Sequence, residues 1–176
     1  MRIFLFSLLI LAASCGIVNK PETQDPNMKT VQLHGTVHKP YCGGAKPSPD
    51  VAAGYYESMK LEKFKIMKGT AFTEGMPVFK EIQLDESGNT TLQLEKGSYM
   101  LMRADKFLSL EDFIKENGHI ENENYRLKDT DCFKKWKTTV DMYFTVENDT
   151  VIELRQKAKC WVGTNPCLEY VGPPAP

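Results

Sequence analysis

Asp85-Glu86-Ser87-Gly88-Asn89-Thr90-Thr91-Leu92-Gln93-Leu94-Glu95-Lys96-Gly97-Ser98-Tyr99-Met100-Leu101-Met102 decides how this chain folds. It reads as turn, strand, turn, strand. Gly88 and Asn89 accept the positive φ that a tight reversal needs. Leu92 and Leu94 alternate with Thr91 and Gln93, the period of a half-buried strand. Gly97 makes the next reversal, after which Tyr99 and Leu101 resume the apolar face. Two strands so close together need partners, and the neighbouring segments are patterned to supply them.

Upstream, residues 77–84 place Val78, Ile82 and Leu84 on one face and Phe79, Glu81 and Gln83 on the other. Residues 61–68 set Phe64 and Ile66 against Lys63 and Lys65, another strand. Residues 30–38 form the first strand, with Val31, Leu33, Gly35 and Val37 inward and Gln32, His34, Thr36 and His38 outward. Between these lie a Pro- and Gly-rich loop over 40–53 and a segment, 55–59, that fits either a helical turn or an extended lead-in.

Downstream, Ser109 and the acidic pair Glu111-Asp112 open a short helix that Asn117-Gly118 closes, with Phe113 and Ile114 inward. Residues 121–131 are charged and read as a surface loop, and Cys132-Phe133-x-x-Trp136 as a turn over one end of the fold. Residues 138–146 alternate Val140, Met142, Phe144 and Val146 with polar neighbours. Glu147-Asn148-Asp149 reads as a hairpin turn into a return strand over 150–160, making an antiparallel pair.

Gly35-x-Val37, Asp85-x-x-Gly88 and Leu94-x-x-Gly97-x-Tyr99 together resemble the carboxypeptidase regulatory-like, or transthyretin-like, β-sandwich. Thr90 stands where members often carry Phe. The resemblance covers residues 31 to about 102 and marks a fold rather than an activity. It implies a mostly all-β, antiparallel-rich, seven-stranded sandwich of prealbumin type, with a short helical insertion between its fifth and sixth strands. It also implies that the first and last strands run side by side in parallel. Tyr41-Cys42-Gly43-Gly44-Ala45 and the late Gly172-Pro173-Pro174 resemble small exported lipoproteins of Bacteroidetes-type bacteria that carry this fold. Asp149-Thr150-Val151 resembles the short O-glycosylation signal used by some of those bacteria.

Arg2 precedes an apolar run over 3–13 broken only by Ser7. The run is shorter than the roughly 20 residues that span a bilayer, so it reads as a secretory signal. Ala12-Ala13-Ser14-Cys15 resembles a bacterial lipoprotein signal, with Leu11 four rather than three residues before the cysteine. The resemblance implies cleavage after residue 14, a diacylglycerol on the Cys15 thiol and acylation, palmitate included, of its amine. Residues 15–29 then form the lipidated start and a Pro-containing tether with a reach of roughly 20 Å. Residues 30–170 form the sandwich domain and 171–176 a Pro-rich tail that cannot continue a strand. The expected address is the bacterial envelope, outer membrane in preference to inner, with the soluble part in the periplasm or at the surface.

The sequence carries five cysteines. Lipidation of Cys15 leaves Cys42, Cys132, Cys160 and Cys167. Set at one pole of a sandwich, four thiolates suffice for zinc. No Cys-x-x-Cys pair is present, and an exported address favours two disulfides. Three pairings exist; the hairpin over 138–160 favours Cys132 with Cys160, which leaves Cys42 with Cys167.

Charge is nearly balanced, 22 basic against 23 acidic residues, which argues against a nucleic-acid partner. His34 and His38 share a strand face and invite a metal reading, but no thiolate or carboxylate joins them at ligand spacing, so solvated histidines are the expectation. His119 has no nucleophile near it in sequence, and Gly43-Gly44 lacks the spacing of a phosphate loop. Tyr55, Tyr56 and Phe79 offer a recognition surface or cover the sheet edge. No catalytic set and no cofactor are expected. The functional expectation is a non-enzymatic binding or scaffolding module of the envelope, held by membrane lipid through Cys15 and facing an envelope protein partner. The pole with the Cys42 loop and the 117–131 loop is the expected contact surface. The alternatives are a metal-handling or enzymatic protein using His34 and His38, and a passive spacer in a surface complex.

Overall fold

The computed structural model describes residues 25–117 and 124–173. The signal segment, Cys15, the tether to residue 24, Gly118, His119, residues 120–123 and the end of the tail lie outside the described residues. In chain order the elements are β1 (Met28–Lys39), α1 (Pro49–Ala52), β2 (Tyr55–Ser58), β3 (Lys63–Lys68), β4 (Lys80–Gln83), β5 (Asn89–Glu95) and β6 (Gly97–Arg103). A 3-10 turn over Ala104–Phe107 follows. Then come α2 (Leu110–Glu116), β7 (Tyr125–Leu127), α3 (Thr130–Thr138), β8 (Met142–Val146), β9 (Thr150–Lys157) and β10 (Leu168–Tyr170).

Two sheets make a β-sandwich. β1 centres the first, running parallel to β9 on one side. Its other side pairs antiparallel with β5 along the first half and with β2 along the second. The second sheet has the order β4-β3-β6-β8, all neighbours antiparallel. Val31, Leu33, Leu92, Leu94 and Leu154 face Phe64, Ile66, Tyr99, Leu101 and Val146 across the interior. Burying one such side chain contributes about 1.5–3 kcal/mol.

The reversals of the opening stretch do more than turn the chain. Asp85 Oδ1 accepts from the amides of Ser87 and Asn89, both at 2.8 Å, and holds Gly88 at φ 79°. Gly88 O accepts from Gly35 N at 2.8 Å. A Cβ on Gly88 would lie 2.6 Å from Gly35 O, and one on Gly35 would lie 2.7 Å from Leu84 Cδ1. The glycines of the first strand and of the Asp-x-x-Gly turn therefore touch, and Met59 and Leu84 fill the space above Gly35.

Four features depart from the sequence reading. Ten strands occur among the described residues instead of seven. Residues 55–58 resolve to a strand, and two three-residue strands, β7 and β10, pair antiparallel in a small third sheet. The insertion between β6 and β8 is also larger than one short helix: it holds α2, β7 and α3. α3 replaces the turn at Cys132 and takes Thr138 from the expected strand, which begins only at Met142. Asp129 Oδ1 caps it through Cys132 N at 2.5 Å, and Phe133 and Trp136, one turn apart, bury on the same side.

The expected hairpin of β8 and β9 is absent. β8 pairs with β6 in one sheet and β9 with β1 in the other. Residues 147–149 cross between sheets, and Asp149 Oδ1 fastens the crossing by accepting from Thr30 N at 2.8 Å. Alternation fixes which side chains face inward, but both sheets offer an inward face, so alternation alone cannot assign a strand to one of them. The parallel neighbourhood of first and last long strands, implied by the family resemblance, is present.

β6 is buried on both faces: Tyr99 and Leu101 toward the sandwich interior, Met100 and Met102 toward a second cluster with Met67. Phe72, Met76, Phe107 and Val140 cover that cluster. A third cluster, Phe113, Phe133, Trp136, Cys167 and Leu168, packs α2 and α3 against β10.

Candidate binding pole

β1 and β9 run in the same direction, so their C-terminal ends share one pole. Ala158 N donates to His38 O at 2.9 Å, and Lys159 bridges to Gly163 across a tight turn. Both disulfides are at this pole. Cys42, three residues past β1, bonds Cys160, three past β9, and Cys132 on α3 bonds Cys167, beside β10. The favoured pairing of Cys132 with Cys160 and Cys42 with Cys167 is thus corrected. Its premise was the hairpin. With β9 beside β1, the residues following the two strands meet directly, which leaves Cys132 to the segment that lies on α3.

A partly buried charge network underlies the pole. At the end of β6, Arg103 Nη2 reaches Glu62 Oε1 at 3.0 Å and Asp105 Oδ2 at 2.7 Å, and Nη1 donates to Thr164 Oγ1. Arg103 N donates to Asp141 Oδ2 at 2.8 Å. Lys106, 2 % exposed, gives its ammonium to Asp141 Oδ1 at 2.8 Å and to Thr139 O at 2.7 Å, beside the Trp136 ring. Burial pushes the Lys106 ammonium below its usual range, against the opposing pull of Asp141. Burial likewise pushes the Glu62 carboxyl up, against the opposing pull of Arg103.

Two depressions open here, and Lys39 and Gly163 border both. One, of about 320 Å³, is polar, with Glu62, Arg103, Asp105, Gln156 and Asn165 on its walls. The other, of about 810 Å³, is walled by Tyr41, Tyr55, Val51 and Trp161, with Asp50 and Lys159 among its polar groups. Trp161 is 49 % exposed and sits at φ 71°.

Of the sequence-derived candidates, Tyr55 and the Cys42 loop border the larger depression, while the histidines lie elsewhere. His34 Nδ1 meets Asn89 Oδ1 at 2.5 Å, and His38 Nε2–H donates to Ala53 O at 2.8 Å with its ring edge on Tyr56. Among the described residues no group of three potential metal ligands assembles. Tyr55 and Tyr56 stand exposed on β2; Phe79 leans on Tyr99 under the Lys68 ammonium. Asp149-Thr150-Val151 lies at the entry to β9, with Val151 exposed. Cys15 and His119 are outside the described residues. No described helix is long and apolar enough to cross a membrane. What the sequence reading missed is Trp161 and the Glu62–Arg103–Asp105 set. The signals were present: a Trp directly after a cysteine with Gly two residues on, and Arg103, Asp105 and Lys106 directly following the apolar run Tyr99 to Met102.

No family model matches the sequence. No curated protein matches it. Among solved structures, the chain is similar to the shaft pilin SpaA of Lactobacillus rhamnosus GG, with 10% identity and a TM-score of 0.39 over 74% of this chain and 50% of that one. It is also similar to GBS52, the minor pilin of Streptococcus agalactiae, with 10% identity and a TM-score of 0.34 over 74% of this chain and 44% of that one. This chain therefore spans about half the length of those structures.

Proposed function

We propose that this chain is an exported lipoprotein, held in the bacterial envelope through acylated Cys15, and that its sandwich is a non-enzymatic binding or scaffolding module. One observation carries the reading. The two disulfides use four of the five cysteines, close loops at a single pole, and leave Cys15, in its lipoprotein-like context, as the fifth. Disulfides of this kind persist in exported proteins. The four cysteines of the described residues are bonded in pairs, and the two described histidines face Asn89 and Ala53.

The direction of β1 gives the reading a geometry. The tether enters at Met28, and the disulfide pole begins where the strand ends at Lys39, about 35 Å away for an extended strand of this length. A chain anchored at Cys15 therefore presents that pole away from the membrane. The preferred address is the outer membrane, with the domain in the periplasm or at the surface.

Detergent phase partition of native membranes tests the anchor. The protein enters the detergent phase and Cys15→Ser moves it to the aqueous phase; a variant that stays with detergent contradicts the anchor. Photo-crosslinkers at Lys159 and at Lys96, at opposite ends of the fold, test the polarity. Adducts with an envelope protein from Lys159 alone support a binding pole, whereas equal adducts from both ends support a passive spacer.

A further inference from the structure

The larger depression at the pole has the features of a built recognition site. Trp161 holds a left-handed backbone conformation, φ 71°, at the tip of the Lys159–Gly163 turn. Glycine fills such positions without cost, whereas a bulky side chain there is strained. The strain places half of an indole in solvent beside a concavity, with the Tyr170 ring tilted against its flank at 5.7 Å. Strain of this kind is retained where a fold holds a side chain for a purpose.

The remaining walls are equally fixed. Tyr41 folds over its own loop, its hydroxyl donating to Ala45 O at 3.1 Å, and a Cβ on Gly43 would lie 2.3 Å from that hydroxyl. Gly54, at φ 71°, passes so near the first strand that a Cβ would lie 2.2 Å from Lys39 O. The Cys42–Cys160 bridge ties the Tyr41 loop to the Trp161 turn. Three aromatic rings from three separate segments, Tyr41, Tyr55 and Trp161, thus border one open cleft of about 810 Å³, within the range of small-molecule sites.

We infer that this cleft binds a short neutral oligosaccharide. The inference rests on the proposed non-enzymatic binding role and names its ligand class. The π faces of tryptophan and tyrosine carry negative charge, which attracts the polarised axial C–H groups of a pyranose face. Its equatorial hydroxyls need donors and acceptors around the rim; the Lys159 ammonium and the Asp50 carboxylate supply both signs. The openness of the cleft and its mixed polar rim disfavour a lipid chain, which needs an enclosed apolar slot. The balanced charge of the chain disfavours a polyanion.

The two tryptophans make the test direct. Trp136 is 6 % exposed and Trp161 49 %, so acrylamide quenching of fluorescence reports Trp161. The mature full chain, in a detergent without a sugar headgroup, is titrated with maltotriose, cellotriose and the N-acetylglucosamine trimer to about 10 mM, enough to saturate a site of about 1 mM affinity. The expected result is saturable protection by at least one trimer. By calorimetry, Tyr55→Ala weakens that binding about tenfold. Trp161→Gly, which suits the backbone at that position, abolishes it while the thermal midpoint holds. Quenching unchanged by all three sugars overturns the inference. So does protection by the proline-rich peptide Gly-Pro-Pro-Ala-Pro with none by sugar, which would make the cleft a peptide groove. Either failure is separable from failure of the anchor, which partition reads independently.

Discussion

Lys106 is buried and pairs with the part-buried Asp141. Removing one member leaves the other without its counter-charge, so Lys106→Met is expected to destabilise the fold by about 3–5 kcal/mol. Lys106→Met with Asp141→Leu recovers part of that, because the carboxylate that has lost its counter-charge is gone; a double variant as unstable as the single would contradict this. Glu62 sets a pH dependence. Its folded pKa is raised from 4.5, so the folded state holds more protons between 4.5 and the raised value. Stability contributed by this group therefore falls as pH rises through that window. Lys106 runs oppositely at alkaline pH: its folded pKa lies below 10.5, and its contribution improves as pH rises between the two values. Urea midpoints across the acid range check the first sign, since Glu62→Gln removes the decline. Gly88 makes the last residue-scale prediction. Gly88→Ala meets a backbone oxygen and an unfavourable φ, whereas Gly35→Ala meets the movable ends of Leu84 and Met59. Gly88→Ala should therefore cost more, about 2–4 kcal/mol against about 1–3.

The disulfides act between elements. Cys42–Cys160 closes a separation of 118 residues and Cys132–Cys167 one of 35. In the chain-entropy model these contribute about 5 and about 4 kcal/mol. Replacing Cys42 and Cys160 by Ser should lower the urea midpoint more than replacing Cys132 and Cys167 by Ala, and should loosen the aromatic cleft as well. Most strands were legible because period-2 patterns over 30–38, 61–68 and 89–102 survive in a sheet with one buried face. The place of β9 beside β1 was legible only through the family resemblance, and the move of β8 to the other sheet was not legible, since a three-residue connection serves a hairpin and a crossing alike. The pairing error for the cysteines follows from that one misplacement. α3 was hidden because Thr138, Val140 and Met142 extend the β8 alternation backwards, past the end of a helix that Asp129 starts. The candidate site was less legible still: Trp161 is one residue among many aromatics until the fold brings Tyr41 and Tyr55 beside it.

At the scale of the whole molecule, the chain is a sandwich fastened by both disulfides at one pole, and the proposed anchor would enter at the other. Met28 pairs with Glu95 at one end, and the long β1 separates that end from the disulfides. Three clusters share the apolar load, so the helical insertion is packed rather than appended. The most direct measurement is the intact mass of the protein from its native membrane, joined to peptide mapping under non-reducing conditions. The account predicts cleavage before Cys15, added acyl mass on that residue, and linked peptides joining Cys42 to Cys160 and Cys132 to Cys167. A mass without lipid, or a thiol at any of those four cysteines that alkylates before reduction, would contradict it.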